Sequence, residues 1–183
     1  MEKNSTEPRV EWMLKSQIGI VSKIYQKCFG CPPPPNIFEG QTERLFLFKV
    51  IVYYKDKIAF EKAERKIGEL ANLSRKHYSR DEINNLHEEY SKLMLEAKLV
   101  ILGFSIFDFD KPKKRNTIVK IGVTPEDTAN AGRILLDHLV MRAKEKNWEL
   151  VIASDAIPET MRFLFPTEKL SPTETEEISL LSF

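Results

Sequence analysis

Apolar residues recur along the chain at two spacings, one typical of helices and one typical of strands. Ile18, Val21 and Ile24 follow the helical spacing and predict an amphipathic helix over about residues 14–27. The prolines from Pro32 to Pro35 cannot donate backbone hydrogen bonds, so they predict an extended connection that ends this helix. The first 43 residues are therefore predicted to be a helix followed by a linker.

The middle of the chain changes from a strand pattern to a helical one. Residues 44–54 are rich in aromatic and β-branched side chains, which is typical of a buried strand. Residues 57–97 carry two stripes of apolar positions that step by three and four, and they predict two helices. Ser79 stands three residues before Glu82, the spacing of a capping box, so the second helix should begin there.

The following segments predict a hairpin and then a helix and strand. Residues 98–109 and 117–123 flank a polar basic stretch, the pattern of two antiparallel strands with a long tip. An apolar stripe after Pro125 predicts a helix that ends near Asn147. A short strand over residues 148–154 and a helix from Pro158 to Phe163 follow. The order is helix, strand, two helices, two strands, helix, strand, helix.

Composition narrows the class of protein. The 183 residues fit one domain with an additional helical element, and 42% hydrophobic residues with 30% charged ones are typical of a globular chain. The net charge of +1 argues against nucleic acid or an anionic membrane as a partner. The first twenty residues contain no apolar run, so we expect neither a signal peptide nor a membrane span, and a cytoplasmic or nuclear location.

The predicted elements suggest three segments. Residues 1–43 form an N-terminal helix with its proline-rich connection, and residues 44–165 form an α/β domain that includes the helical pair at about 56–97. Residues 166–183 read as a loose C-terminal tail.

Isolated polar residues give weaker signals for chemistry. Cys28 and Cys31 have the spacing of a zinc or redox pair, but no second pair accompanies them, so we expect no metal. The basic run from Lys111 to Arg115 is typical of a solvated hairpin tip. His138 lies beside an apolar helical stripe and is expected to pack there, while Asp155 has the place of a helix cap.

One segment resembles a known family. Residues 102–136, LGFSIFDFDKPKKRNTIVKIGVTPEDTANAGRILL, are similar to the middle of the GNAT superfamily of N-acetyltransferases. Gly103 stands at a frequent glycine of an earlier strand, and Val123, Thr124 and Pro125 form the turn that ends the next strand. The resemblance implies a GNAT-like α/β fold, with a mixed, mainly antiparallel sheet flanked by helices.

The resemblance also implies a cofactor site. In the family, backbone amides of a glycine-rich loop at a helix start receive the pyrophosphate of coenzyme A, as helix N-termini do for anions in general. Here the loop is one residue shorter, Thr128 stands in place of an arginine or glutamine, and Ala131 replaces the first glycine. Phe163 and Phe165 lie where active members often carry a tyrosine.

Two functions follow from the resemblance and its departures. The first is an N-acyltransferase that moves an acyl group from acetyl-CoA to a primary amine, with no catalytic residue assigned. Its predicted cofactor-binding residues are Ile121, Val123, Ala129, Asn130, Ala131, Gly132 and Arg133. The alternative is a non-catalytic domain of the same fold that acts as a protein-interaction or scaffolding module. The oligomeric state stays open.

Overall fold

The computed structural model describes most of the chain. It covers residues 5–35, 37–38, 46–73, 79–153, 155–164 and 177–181. The predicted segment boundaries after residues 43 and 165 lie outside these ranges, and so do Phe165 and most of the predicted tail, so these remain predictions.

The described elements alternate between helices and strands. Their bounds are β1 Arg9–Trp12, α1 Ile18–Phe29, β2 Phe46–Tyr54, α2 Lys57–Leu73, α3 Arg80–Ala97, β3 Leu99–Asp110, β4 Arg115–Val123, α4 Thr128–Lys146, β5 Glu149–Ala153 and β6 Glu177–Leu181. Short 3-10 helices span Lys15–Gln17, Pro125–Asp127 and Glu159–Leu164.

The six strands form one sheet in sequence order, from β1 to β6. The pairs β1–β2, β3–β4 and β5–β6 are antiparallel, and β4–β5 is parallel because α4 carries the chain back between them. This mixed, mainly antiparallel sheet with helices and an additional helical pair confirms the fold class predicted from the sequence.

The chain divides into two compact units, one of residues 1–7 and 53–100 and one of residues 8–52 and 101–183. The first unit contains α2 and α3, which are joined by an ion pair from Lys66 to Glu89; Lys66 also pairs with Glu69 on its own helix. The predicted capping box is confirmed, since the Glu82 amide donates to Ser79 Oγ at 3.3 Å and the Ser79 amide donates to Glu82 Oε2 at 2.9 Å.

The second unit holds a core built on β3, β4 and β5. Its largest fully buried side chains include Phe104, Ile106, Ile118, Ile121, Leu135, Leu150 and Ile152. A Cβ at Gly122 would meet Cys28 of α1, whereas the next side chain, Val123, faces Gly132 of α4. Because neighbouring strand residues point to opposite faces, α1 and α4 cover opposite sides of β4.

Two glycines determine local features of the fold, the end of α1 and the close approach of β3 to β4. Helix α1 ends at Gly30, whose φ of 71° supplies a left-handed C-cap, so the helix stops before the prolines that were expected to end it. At Gly103 a Cβ would meet the Val123 side chain and lie 2.6 Å from the Gly122 carbonyl oxygen. Only a glycine fits this close approach of β3 to β4.

Several elements differ from the prediction. β1 and β6 lie in segments that were expected to be irregular. Strands form there because four or five residues suffice when they pair with a neighbouring strand. The hairpin tip is only residues 111–114, with Lys114 at a φ of 49°, since β3 and β4 continue their pairing to Asp110 and Arg115. The predicted end of α4 at Asn147 is confirmed.

Candidate functional site

The predicted site lies where β4 leaves β5. The two strands pair from Arg115 with Glu149 to Ile118 with Ile152, and the ladder ends there. Further along β4, the Ile121 amide donates to the Ala156 carbonyl at 3.0 Å. The chain reaches this position through a turn in which the Ala156 amide donates to the Ala153 carbonyl at 3.0 Å. The residues after β5 therefore return to β4 beyond the end of the ladder.

The last residue of β4 contacts helix α1. The Cys28 thiol donates to the Val123 carbonyl at 3.1 Å. Burial is the main reason why the pKa of Cys28 rises to about 11, so this residue is a protonated thiol at neutral pH. The Thr124 amide donates to the Leu102 carbonyl at 2.7 Å, which ties the following turn to β3. These contacts were not visible in the sequence, because the partners lie far apart along the chain.

The start of α4 carries the rest of the predicted residues. Asn130 and Arg133 are exposed and Ala131 is buried, while the side chains of Thr128 and Ala129 lie outside the described part. Two exposed carboxylates, Glu126 and Asp127, precede the helix, and Asp127 makes no side-chain cap hydrogen bond. A carboxylate at this position interacts favourably with the helix dipole, but it repels an anion that approaches the start of the helix.

Gly132 serves the packing of α4. A Cβ at this position would lie 2.6 Å from Leu164 Cδ1 and 3.2 Å from Met161 Cε, both in the 3-10 helix after β5. The glycine thus gives room to this neighbouring helix, and Met161 is fully buried there. This face of the predicted phosphate loop is covered by the chain itself.

A charged pair crosses the gap between the strand ends. Lys120 Nζ donates to the Asp155 carboxylate at 2.6 Å and to its backbone carbonyl at 2.8 Å. The same ammonium lies 5.2 Å from the centroid of the Phe29 ring. Tyr25, which is buried beside this pair, has its pKa raised by burial, then by Cys31 and Asp155. Asp155 was expected to be a helix cap, and Lys120 had no signal in the sequence.

Acetyl-CoA is the cofactor that the resemblance implies, and the geometry tests whether these residues suit it. The amide of Ile121 and the carbonyl of Val123 are both engaged with other parts of the chain. Gly132 is buried, and a Cβ at this position would meet Leu164 and Met161. As folded, the Ile121 amide is engaged and not available to the cofactor, and the predicted cofactor-binding set as a whole stays a prediction.

Other sequence candidates lie apart from this region. His138 faces a cavity under the second half of α4 and is half-buried, as expected for a packing histidine. Phe163 is 66% exposed. Within the described ranges, no cluster of three or more His, Cys, Asp or Glu residues is placed to hold a metal, and no helix is long and apolar enough to cross a membrane.

The strand order, the parallel β4–β5 pair and the helix between them define a GNAT-like α/β fold. A solved structure similar to this chain is the crystal structure of nourseothricin acetyltransferase, with 12% sequence identity, 95% coverage of each chain and a TM-score of 0.44. No protein-family profile and no curated protein matches the chain. A structural similarity of this size carries no information about the activity of this chain.

Proposed function

We propose that this chain is a non-catalytic domain with a GNAT-like fold that acts by binding other proteins. The observation that carries the proposal is the hydrogen bond from the Ile121 amide to the Ala156 carbonyl, 3.0 Å long. By resemblance, the backbone near Ile121 is where a thioester carbonyl would bind. An amide that already donates to a carbonyl can donate to a ligand only if that hydrogen bond breaks, which carries a free-energy cost.

Two further contacts support a non-catalytic role. The Val123 carbonyl accepts from the Cys28 thiol, and Gly132 packs against Leu164 where a phosphate would need open backbone amides. The carboxylates of Glu126 and Asp127 add negative charge beside the same helix start. Catalysis requires donors that point at the reacting group before it arrives, whereas the Ile121 amide donates to the Ala156 carbonyl.

The helical pair supports protein binding. Aliphatic side chains on α2 and α3 are exposed to unusual extents: Leu95 by 80%, Ile58 by 60%, Ile67 by 48% and Ile83 by 37%. Among the described residues of the two helices, only Ala59, Phe60, Ala63 and Ala97 are buried. These exposed apolar side chains are available for contact with another protein, and we place that contact on the helical pair.

The second candidate is an N-acyltransferase acting on a primary amine. It is favoured by the parallel β4–β5 pair, which ends after Ile118 and Ile152, and by α4, which begins shortly after β4. A helix that starts at the end of a strand is a general arrangement for receiving a phosphate group.

Calorimetric titration of the full chain with acetyl-CoA separates the two candidates. We expect no saturable binding up to millimolar concentration. Arg133→Glu reverses a charge in the second turn of α4, and Lys144→Glu is the matched control in its last turn. Saturable binding that Arg133→Glu abolishes and Lys144→Glu preserves would overturn the proposal and favour the transferase.

Affinity capture tests the protein-binding role. The immobilised chain is compared with an Ile58→Lys, Leu95→Lys double variant and with Glu96→Lys, an exposed control on α3. A partner should be retained by the wild type and by Glu96→Lys but lost by the double variant, since two buried charges at an apolar contact are costly. If no protein distinguishes the wild type from the double variant, the helical pair is not the contact surface.

A further inference from the structure

A cavity of about 350 Å³ lies under the second half of α4, against the sheet. Its floor comes from alternate residues of the strands, among them Lys49, Phe107, Asn116 and Ile118, and its roof from α4. The volume falls within the range of about 300–1,000 Å³ typical of small-molecule sites. The cavity lies within the second compact unit, and neither proposed function uses it.

Aromatic rings line two sides of the cavity. Trp12 and Phe107 have ring centroids 6.4 Å apart, and Phe109 and Trp148 have centroids 4.4 Å apart. Flat rings held at these distances offer their faces and edges to a further ring, because offset and edge-to-face contacts are both favourable. The apolar part of the cavity therefore suits a planar aromatic group.

The charge in the cavity is positive. Lys49, Arg142 and Lys146 line it, and none of its described lining residues is a carboxylate. Arg142 pairs with Glu145 at 3.0 Å, but Lys49 has no carboxylate within ion-pair distance in the described part of the chain. Lys49 is only 7% exposed, and its Nζ lies 3.5 Å from the centroid of the Trp12 ring. An anion entering the cavity would meet an uncompensated ammonium.

Two neutral polar atoms of the lining also lack partners. Asn116 Oδ1 and His138 Nε2 are buried and make no hydrogen bond to any described residue. Burial is the first reason why the pKa of His138 is lowered, followed by the charges of Lys49 and Arg142, with Glu145 opposing them. The imidazole is therefore neutral near pH 7. Buried polar groups normally have partners, so such atoms around one cavity point to a polar ligand.

We propose that this cavity binds a small planar aromatic carboxylate whose ring system carries an N–H donor. The ring lies among the four aromatic side chains, and the carboxylate binds the ammonium of Lys49. The N–H donates to Asn116 Oδ1, which satisfies a buried acceptor. Lys49 has no ion-pair partner and Asn116 Oδ1 has no hydrogen-bond partner in the described structure, so the carboxylate and the N–H would supply both.

The test is calorimetric titration of the full chain with indole propionate. Two related probes separate the interactions, the primary amide of the same compound, which is neutral, and naphthyl propionate, which lacks the N–H. We expect saturable binding of the indole acid, about tenfold to a hundredfold weaker binding of the amide, and about threefold to tenfold weaker binding of the naphthyl acid.

Variants locate the binding. Lys49→Met keeps most of the length of the side chain and removes its charge, so the indole acid should bind about tenfold to a hundredfold more weakly. Lys144→Met, on the exposed last turn of α4, should bind like the wild type. Circular dichroism and thermal melts confirm that both variants are folded. Equal affinity for acid and amide, unchanged binding by Lys49→Met, or no saturable binding of the acid to millimolar concentration would each overturn the proposal.

Discussion

Lys49→Met should stabilise the fold, although it removes a contact. Lys49 is 7% exposed on a strand of the sheet, and its ammonium rests on the Trp12 ring without a carboxylate partner among the described residues. Burial lowers its pKa, and the charge of Arg142 lowers it further. A lowered lysine pKa means that the folded protein disfavours the charged form. The buried charge of Lys49 therefore destabilises the folded protein at neutral pH.

The size of the stabilisation follows from the interactions that Lys49→Met removes. Methionine keeps most of the apolar stem but loses the cation–π contact, worth about 0.5–2 kcal/mol. It removes the desolvation of a charge, which is several kcal/mol for a fully buried ion and about 2 kcal/mol for one beside an open cavity. With the repulsion from Arg142 also removed, we expect a net gain of about 1 kcal/mol. In a chain of this size that corresponds to a melting temperature higher by about 2–4 °C.

The stabilisation by Lys49→Met should depend on pH in a definite direction. Because the folded pKa of Lys49 lies below the unfolded value, the unfolded chain binds more protons between the two pKa values, and wild-type stability rises with pH there. The advantage of Lys49→Met over the wild type should thus shrink as the pH rises through the folded pKa of Lys49 towards its unfolded value. Lys144→Met, an exposed control, should change the free energy of unfolding by less than about 0.5 kcal/mol. A Lys49→Met protein less stable than the wild type by more than that would refute the reasoning.

Three further predictions concern the β3–β4 pair, the thiol on α1 and the cap of α3. Gly103→Ala places a Cβ 2.6 Å from the Gly122 carbonyl oxygen, so urea unfolding should show a loss of about 2–3 kcal/mol; a loss below about 1 kcal/mol would mean that the strands separate easily. Cys28, with a pKa of about 11, should react with iodoacetamide at pH 7.5 about a hundredfold more slowly in the folded chain than in the urea-unfolded chain, as followed by mass spectrometry; similar rates would disprove a buried thiol. Ser79→Ala removes the acceptor of the Glu82 amide and should lower the free energy of unfolding by about 1 kcal/mol, whereas Ser79→Asp should restore it; no loss would show that the cap is unimportant.

Periodicity predicted those parts of the fold that depend on neighbours along the chain. The cap at Ser79, the end of α4 at Asn147 and the order of the long elements all follow from residues a few positions apart. The strand β1 was missed because four residues carry too little pattern, and its partner in β2 lies beyond the proline-rich linker. A strand of this length is defined by its pairing, which the sequence does not display.

The geometry of the candidate site could not be read from the sequence for a similar reason. Residues Ile121 and Gly132 were selected because they match a family pattern, yet the pattern says nothing about which carbonyl or side chain lies opposite them. Their neighbours Ala156 and Leu164 come from the segment after β5, which looked like an ordinary turn and helix. A local motif thus directed attention to one strand and one helix, but it did not reveal which of their backbone groups already have partners.

The two ends of β4 differ in how well their polar groups are satisfied. At the C-terminal end, where the resemblance directs attention, the Ile121 amide and the Val123 carbonyl have partners inside the chain. At the N-terminal end, Asn116 Oδ1 is buried without a partner, beside a cavity that also holds the unpaired ammonium of Lys49. Ser105 Oγ is likewise unpartnered but does not line that cavity. Since a folded chain normally satisfies its buried polar groups, a cluster of exceptions around one cavity has a stronger claim to ligand binding than a site whose donors are engaged. If Lys49→Met gains stability and loses the indole acid together, the strain at Lys49 is explained by binding, because functional groups are often kept at the expense of stability.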